Sequence, residues 1–317
     1  MKQKFNFPSR SSQRPRDLSA ATGTQTTGIL PVSGNGHLAR FADRRTGSVS
    51  SLTGEMSVFQ PQFATQFAVI IPACDEEECI GPVLDELLRV IDPQKFVVVV
   101  GVNGSSDRTA QITQDYPVLL AETAQRGYGY GCQVAVDLAT RLFPALRGYI
   151  FYAADGASDP RDIDRIVSAQ EQGYPFVLGA RTARLSNWRV MRFSHVIANV
   201  AMGLWCGLLT GRCFSDLGPL RLIDRELFAA LALREMTFGW TIEAQIGAAK
   251  VGAAICEVPV DERLRVGGQQ KVSGVTWRRT FSVGCRIIAA GWRARLRFRK
   301  HSRRPAARPV TNLVPQS

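Results

Sequence analysis

From residue 67 onward, short apolar runs alternate with amphipathic stretches along the chain. The runs are continuous rather than interrupted at every second position, which is typical of parallel strands that are buried on both faces. We predict strands over Phe67–Pro72, Phe96–Val102, Val118–Ala121, Tyr149–Tyr152, Phe176–Ala180 and Ile255–Val260. Between the strands, the apolar spacing predicts helices that end near Val90, Leu142, Gln172 and Val251.

The regular alternation of strands and helices predicts the fold class. It indicates an α/β domain with a doubly wound, mostly parallel sheet, flanked by helices and connected by right-handed crossovers. Ligands of such sheets bind at the carboxyl ends of the strands. Several loops at that edge carry acids and glycines, which suits a nucleotide ligand.

Two helices in the second half have a different character. The stretch Asn187–Leu209 is apolar on most faces and predicts a core helix, with contact to lipid as the alternative. His195, within it, is interpreted as a packed or surface side chain. The C-terminal stretch Thr276–Arg299 combines tryptophan and arginine without acids, which is typical of an amphipathic helix on a membrane surface. An RNA-binding tail is the competing interpretation, and no apolar run reaches the roughly 18 residues that would span a bilayer.

The net charge divides the chain into segments. Of the total of +12, residues 1–66 carry +5, residues 67–275 carry −4 and residues 276–317 carry +11. Composition predicts a disordered basic region over 1–65, the folded domain over 66–275, the basic helix over 276–300 and a disordered tail over 301–317. A mildly acidic folded domain argues against a nucleic-acid-binding core, whereas the basic arm suits an anionic membrane surface.

The seven cysteines are scattered, without a Cys-x-x-Cys pair. This pattern favours a reducing compartment and gives no support for a zinc site. Together with the basic helix, it predicts a cytoplasmic protein bound peripherally at the inner face of the membrane.

The stretch 148–160 is the centre of the candidate chemistry. Its buried strand runs into Asp155 and Gly156, and the residues from Ser158 to Pro160 then open a helix. Carboxylate oxygens suit hard cations, so Asp155 would hold Mg²⁺ or Mn²⁺. The alternative is that Asp155 is only a turn residue. The glycine-rich stretch 126–132 does not match Gly-x-Gly-x-x-Gly, so a dinucleotide site is not predicted.

Seven motifs occur in the order found in one known family. They are Pro72-Ala-Cys-Asp-Glu-Glu-Glu78, Val102-Asn-Gly-Ser-Ser-Asp-Arg-Thr109, Arg126-Gly-Tyr-Gly129, Ala153-Ala-Asp-Gly156, Asp216-Leu-Gly-Pro-Leu-Arg221, Gly239-Trp-Thr-Ile-Glu243 and Arg265-Val-Gly-Gly-Gln-Gln-Lys271-Val-Ser-Gly274. Over about residues 66–290, the chain resembles family 2 glycosyltransferases, in the branch similar to dolichol-phosphate mannose synthase and its bacterial relatives. The resemblance implies the GT-A fold and a nucleotide-sugar donor.

The chain departs from the family pattern at two places. The family's metal motif reads Asp-Ala-Asp-Gly, but its first acid is Ala153 here, so metal binding would rest on Asp155. The two acids of the family's nucleotide-binding turn are Val102 and Asn103 here, and Asn103 retains the capacity to hydrogen-bond a base or ribose.

The resemblance also implies roles for individual residues. The nucleotide base and ribose would be held by Pro72, Asp75, Glu76 and Asn103, with Gly127 in the glycine turn of the same donor site.

A second set of residues would stabilise the negative charge of the donor diphosphate. Asp155 would neutralise the donor diphosphate through the cation. Arg265 and Lys271 would add positive charge there or at an acceptor phosphate.

The family expectation is a single displacement with inversion at the sugar carbon. A polyprenyl phosphate acceptor is already ionised and needs no general base. A glycan hydroxyl would need one, for which Asp216 and Glu243 are the candidates.

Two other classes of protein remain as alternatives at this point. One is a non-catalytic nucleotide-sugar-binding scaffold whose metal motif has degenerated, with Ala153 and Asn103 as its evidence. The other is a nicotinamide-dependent oxidoreductase, for which the sequence lacks the fingerprint.

Overall fold

The computed structural model describes residues 29–31, 38–41, 65–191, 193–237, 239–267 and 277–298. The strands in these residues are β1 (Ile29–Pro31), β2 (Leu38–Phe41), β3 (Phe67–Ala73), β4 (Phe96–Asn103), β5 (Leu119–Thr123), β6 (Gly148–Phe151), β7 (Phe176–Ala180), β8 (Arg221–Asp224) and β9 (Ile255–Pro259). The α-helices are α1 (Ile80–Val90), α2 (Thr109–Thr113), α3 (Tyr128–Leu142), α4 (Asp162–Glu171), α5 (Phe193–Thr210), α6 (Arg225–Leu231), α7 (Trp240–Lys250) and α8 (Trp277–Phe298).

The strands form one mixed sheet in the order β1-β2-β5-β4-β3-β6-β8-β7-β9. Strand β3 is central and pairs in parallel with β4 and β6, so that Val69 lies opposite Val98 and Ile150. The mostly parallel sheet predicted from the sequence is confirmed. The sequence did not predict β8, which is antiparallel to both β6 and β7.

Both faces of the sheet are buried, as the continuous apolar runs predicted. In β3, Ala68 and Ile70 face one hydrophobic cluster, and Val69 and Ile71 face a second one on the other side. Helices α3, α5, α6, α7 and α8 contribute to the first cluster, whereas α1 and α4 contribute to the second. This layering leaves the carboxyl edge of β3, β4 and β6 free to carry the candidate site.

Strands β1 and β2 lie within the region 1–65, for which composition predicts disorder. Strand β2 pairs antiparallel with β5, with Arg40 opposite Leu120. The pairing covers the outer edge of β5, which a sheet otherwise leaves with unpaired backbone groups. The rest of 1–64, and the tail 301–317, lie outside the described residues.

The helix predicted to begin at Asn187 begins later, at Phe193. Asn187 instead ends up buried in a short 3₁₀ turn, Leu185–Arg189. Its side-chain amide donates hydrogen bonds of 2.8 Å to the carbonyl oxygens of Arg181 and Val260. An asparagine side chain that bonds loop backbone in this way competes with helix formation, which explains the later start.

Two glycines bring helix α3 close to strand β4. A Cβ added at Gly101 would lie 2.0 Å from the carbonyl oxygen of Gly131. Helix α3 begins at Tyr128, so the glycine-rich stretch is the first turn of the helix rather than a loop before it. Gly131 is explained by this close approach of helix and strand, whereas a Cβ at Gly127 or Gly129 would instead meet the backbone of Met236.

Candidate active site

The loop after β3 is built around Asp75, which adopts a left-handed backbone with φ of +51°. Its backbone N–H donates to Ser105 Oγ at 2.9 Å, and its Oδ1 accepts from the Ser106 N–H at 2.6 Å. Its Oδ2 is ion-paired with Arg126, which follows β5. Asp75 therefore ties together the loops that follow three adjacent strands.

A second set of bonds locks the same loops from the other side. The backbone N–H of Glu76 donates to Thr109 Oγ1 at 2.8 Å, and that of Glu77 donates to Asp107 Oδ2 at 3.0 Å. Asp107 Oδ1 also accepts from the Thr109 N–H at 3.0 Å, at the start of α2. The first two sequence motifs thus form one preorganised unit.

Asn103, at the end of β4, is only 3% exposed. Its Nδ2 donates to the carbonyl oxygen of Gly127 at 3.1 Å, where the glycine has φ of +149°. A Cβ at Gly131 would lie 2.6 Å from Asn103 Oδ1 and 3.0 Å from Pro72 Cβ. The structure thus brings Pro72, Asn103 and Gly127 together, and it gives Asn103 the additional task of fixing the glycine turn.

Arg265 lies between two of the predicted site carboxylates. Its Nη2 is 3.2 Å from Glu76 Oε2, and its Nη1 is 3.3 Å from Asp155 Oδ2. The side chains of Arg265 and Asp155 are each 24% exposed, so the pair is partly open to solvent. One guanidinium therefore links the β3 loop to the loop that follows β6. Lys271, predicted to act with Arg265, lies outside the described residues.

The residues at Asp155 fit a hard cation with few protein ligands. Asp155 Oδ1 accepts a hydrogen bond of 3.1 Å from the Ala157 N–H. In the described part of the chain, no group of three or more His, Cys, Asp or Glu side chains could hold a metal ion. A cation here would be held by Asp155 together with donor phosphate oxygens and water, a donor set that Mg²⁺ commonly accepts.

Asp216 is buried and is bonded to a single arginine. Arg181 donates to it from its backbone N–H at 2.8 Å, from Nε at 2.8 Å and from Nη2 at 2.9 Å. Among the described contacts, Asp216 therefore anchors Arg181. Its candidate role as a general base stays a prediction.

Glu243 is bonded in a similar way. Its Oε2 accepts from the N–H groups of Arg234 and Glu235 at 2.9 and 2.7 Å, and its Oε1 pairs with Arg297 of α8 at 2.6 Å. These bonds fix the connection between α6 and α7 and attach α8 to it. Both carboxylate oxygens of Glu243 thus have partners in the described contacts, and its candidate role as a base stays a prediction.

Sequence reasoning missed three charged residues. Arg126 lies within the motif Arg126–Gly129, but the sequence predicts no role for its side chain. Arg181 lies outside all seven motifs. Glu262 is paired with Arg181 at 3.1 Å, and burial raises its pKa to about 7, assisted by the charges of Asp155 and Asp216 and opposed by Arg181. The signal for Glu262 is three-dimensional, since nothing in its sequence neighbourhood distinguishes it from a surface acid.

An α/β domain that gathers acidic and glycine-rich loops at the carboxyl edge of its central strands has the architecture of GT-A glycosyltransferases. Glucosyl-3-phosphoglycerate synthase from Mycobacterium tuberculosis, solved with Mn²⁺, uridine diphosphate and phosphoglyceric acid, matches with a TM-score of 0.55 and 17% identity. That match covers 73% of this chain and 78% of the synthase. It establishes the GT-A fold.

The sequence model described as "Glycosyl transferase family 2" matches residues 68–229. The chain therefore belongs to glycosyl transferase family 2 and is a glycosyltransferase.

Two relatives carry names that include a lipid phosphate. The dolichyl-phosphate hexose transferase of Haloferax volcanii is 28% identical over 63% of this chain and 84% of its own length. The undecaprenyl-phosphate 4-deoxy-4-formamido-L-arabinose transferase of Pseudomonas aeruginosa is 32% identical over 66% of this chain and 60% of its own. An uncharacterized glycosyltransferase of Mycobacterium tuberculosis is 27% identical over 65% and 89%, respectively.

Proposed function

We propose that this glycosyltransferase moves a hexose from a nucleoside diphosphate sugar to a polyprenyl phosphate, in one displacement with inversion. An oxygen of the acceptor phosphate attacks the anomeric carbon while the bond from that carbon to the donor diphosphate breaks. The nucleoside diphosphate leaves, and no proton needs to be removed from the acceptor. Lipid-phosphate transferases among the relatives support this choice of acceptor.

The donor side of the proposal rests on the interlocked loops. Asp75, Glu76 and Asn103 would bind the base and ribose, with Pro72 and Gly127 shaping the site around them. These loops are bonded to one another, so little ordering remains to be done on binding.

The diphosphate side rests on one observation, the placement of Arg265 between Glu76 and Asp155. A guanidinium in this position would bind the departing diphosphate by paired hydrogen bonds as its charge develops. Lys271, six residues further along the chain, is proposed to add charge to the same group. A divalent cation bound at Asp155 would supply further neutralisation of the diphosphate.

The bonding of Asp216 and Glu243 supports an acceptor that is already ionised. Both candidates for a general base are used in structural hydrogen bonds. A hydroxyl acceptor requires a group that takes its proton, whereas a phosphate acceptor does not.

Peripheral binding at the cytoplasmic face of the membrane is part of the proposal. Exposed apolar residues follow one face each of α5 and α8, and we refer to them as the α5–α8 apolar surface: Ile197, Val200, Leu204, Leu208, Ile288, Trp292 and Leu296. The two helices adjoin here, since the rings of Trp205 in α5 and Trp292 in α8 pack edge to face, with 5.7 Å between their centres. Helix α8 carries arginines and no acids, which suits anionic lipid. Among the described helices, none has both the length and the apolarity to cross a bilayer.

A non-catalytic scaffold is the second candidate, favoured by Ala153. The ion pair between Arg265 and Asp155 weighs against it, because a scaffold needs no charge stabilisation at the diphosphate.

The test is a donor screen that measures nucleotide release from UDP-, GDP- and dTDP-sugars, with undecaprenyl phosphate, dolichyl phosphate or a glycan hydroxyl as acceptor. We expect one donor to give glycosylated lipid phosphate in detergent, with the anomeric configuration inverted in the product by NMR. Transfer only to the glycan would reject the proposed acceptor. Donor binding by calorimetry without transfer to any acceptor would favour the scaffold.

A further inference from the structure

The segment that follows β9 runs alongside the loop that carries Asp155. Glu262 lies opposite Ser158 in an antiparallel bridge, and the Arg263 N–H donates to the Ala157 carbonyl at 2.7 Å. The Val266 N–H donates to the Asp155 carbonyl at 3.1 Å. Glu262 is thereby held beside the shortened metal motif by backbone bonds.

The carboxylate of Glu262 is only half used. Its Oε1 accepts from Arg181 Nη1 at 3.1 Å, whereas its Oε2 is buried and has no hydrogen-bond partner in the described part of the chain. A buried polar atom without a partner is rare in folded proteins and calls for a ligand, an ion or water.

The surroundings of Glu262 are short of positive charge. Arg181 is shared between partly buried Glu262 and buried Asp216, since it also makes a bidentate pair with Asp216. Burial, followed by the charges of Asp155 and Asp216, raises the pKa of Glu262 to about 7 even though Arg181 lowers it. Arg265, the neighbouring cation, is used by Asp155 and Glu76.

Glu262 lies beside the loop in which the family's first metal-binding carboxylate is absent. In the motif Ala153–Gly156, alanine stands where the family has its first carboxylate. A hard divalent cation commonly takes one or two carboxylates together with substrate phosphate oxygens. Glu262 presents an unused carboxylate oxygen on the segment whose backbone is hydrogen-bonded to the loop that carries Asp155.

We propose that Glu262 is a metal ligand that replaces the acid lost at Ala153, so that a divalent cation is held between Glu262 and Asp155. The proposal deepens the metal-assisted function described above. It differs from a purely structural reading, in which Glu262 only gives Arg181 a second acceptor.

The test measures Mn²⁺ binding directly. The full chain is titrated with Mn²⁺ in the presence of UDP, and free Mn²⁺ is followed by its electron paramagnetic resonance signal. We expect Glu262→Gln to weaken Mn²⁺ binding at least tenfold, while UDP affinity without metal stays the same. The matched control is Glu257→Gln, because Glu257 bonds only to Ser215 among the described contacts and lies in β9.

A second variant separates ligation from structural damage. Adding Ala153→Asp to Glu262→Gln should restore Mn²⁺ affinity, because it returns the carboxylate to the family position. Both proteins lack the Glu262 carboxylate, so any structural cost is common to them. Wild-type Mn²⁺ affinity in Glu262→Gln, or no recovery in the double variant, would overturn the proposal. Because no sugar transfer is measured, loss of Mn²⁺ binding in Glu262→Gln would support the inference even if the donor screen failed.

Discussion

Arg265 and Asp155 form an ion pair at the carboxyl edge of the sheet, with 3.3 Å between Nη1 and Oδ2. The two residues belong to different loops, and the pair is completed by Glu76 at 3.2 Å from Nη2. A fork of N–H donors is needed to reach both carboxylates at once, and only arginine provides it. The same fork is suited to a diphosphate.

The first prediction concerns this fork. Arg265→Lys keeps the positive charge but cannot bond two groups in fixed geometry, so we expect kcat to fall roughly 100-fold. Donor affinity should change much less, because the contribution is largest when charge develops on the leaving group. Steady-state kinetics of nucleotide release would measure both quantities.

The matched control is Arg263→Lys in the same segment. The Arg263 side chain pairs with Glu86 of α1 at 2.7 Å and donates to the Ser158 carbonyl at 2.9 Å, rather than pairing with Asp155. We expect this variant to lose far less activity than Arg265→Lys. Equal losses in the two variants would show that the segment, rather than the Arg265 fork, is what matters.

The second prediction concerns Asp155. Asp155→Asn preserves size but removes the negative charge that pairs with Arg265 and that would bind the cation. We expect transfer to be abolished, while the thermal unfolding temperature changes little because the side chain is partly exposed. Turnover at the wild-type rate in product analysis would refute the assignment of Asp155.

The fold was predictable where the pattern had one explanation. Strands β3 and β4 are apolar at every position of their cores because both faces are buried, and their lengths of 7 and 8 residues favour strands over helices. Strand β8 was missed because it is short and has Arg221 and Asp224 at its ends. Arg221 is fully buried beneath Trp240, 5.9 Å from the ring centre, so a charged residue in the sequence marks an interior position.

The motifs predicted which residues belong to the site, but not how those residues contact one another. Asp155 and Arg265 were both expected to serve the diphosphate, but their direct pairing depends on how two distant loops meet. Nothing in the sequence indicates that Asp216 will form an ion pair with Arg181. Glu262 is the converse case, since its half-used carboxylate appears only once the chain is folded.

The third prediction tests the close approach of α3 to β4. A Cβ at Gly131 would lie 2.6 Å from Asn103 Oδ1 and 2.9 Å from the carbonyl oxygen of Gly101. Gly131→Ala should therefore displace Asn103, weaken nucleotide binding and destabilise the fold by roughly 2 kcal/mol. Calorimetric titration with UDP and urea unfolding would measure the two effects.

A glycine in open space gives the control. Gly284 lies in α8, and a Cβ there would meet nothing within 4 Å. Gly284→Ala should leave UDP binding unchanged and stabilise the protein by up to about 1 kcal/mol, since alanine favours the helix. If Gly131→Ala bound UDP as the wild type does, packing at α3 would not be what positions Asn103.

The fourth prediction is a pH dependence carried by Asp107. Burial alone would raise its pKa, but hydrogen bonds from Thr109 and from the Glu77 N–H outweigh burial and lower it below the ordinary value of 3.8. The folded state therefore binds this proton more weakly than the unfolded state does. The carboxylate contributes stability above the unfolded pKa, and this contribution is lost as pH falls through the folded pKa.

Asp107→Asn removes this titration. We expect the wild type to exceed the variant in free energy of unfolding at neutral pH, and the difference to shrink as pH falls below about 4. Urea unfolding at a series of pH values would measure it. A difference that stayed constant from pH ~6 down to the lowest pH at which both proteins fold would contradict the role given to Asp107.

The fifth prediction concerns the α5–α8 apolar surface. Leu204, Leu208 and Leu296 are exposed on adjoining helix faces, and the Leu208 side of α5 is joined to α8 through a hydrogen bond from Arg295. Each leucine that enters a lipid interface should contribute roughly tenfold in affinity, so Leu208→Glu combined with Leu204→Glu should release the protein from anionic vesicles. The control is Leu142→Glu, an exposed leucine at the end of α3. Co-sedimentation with vesicles of phosphatidylglycerol and phosphatidylcholine would measure binding, and unchanged sedimentation of the double variant would reject this surface as the membrane contact.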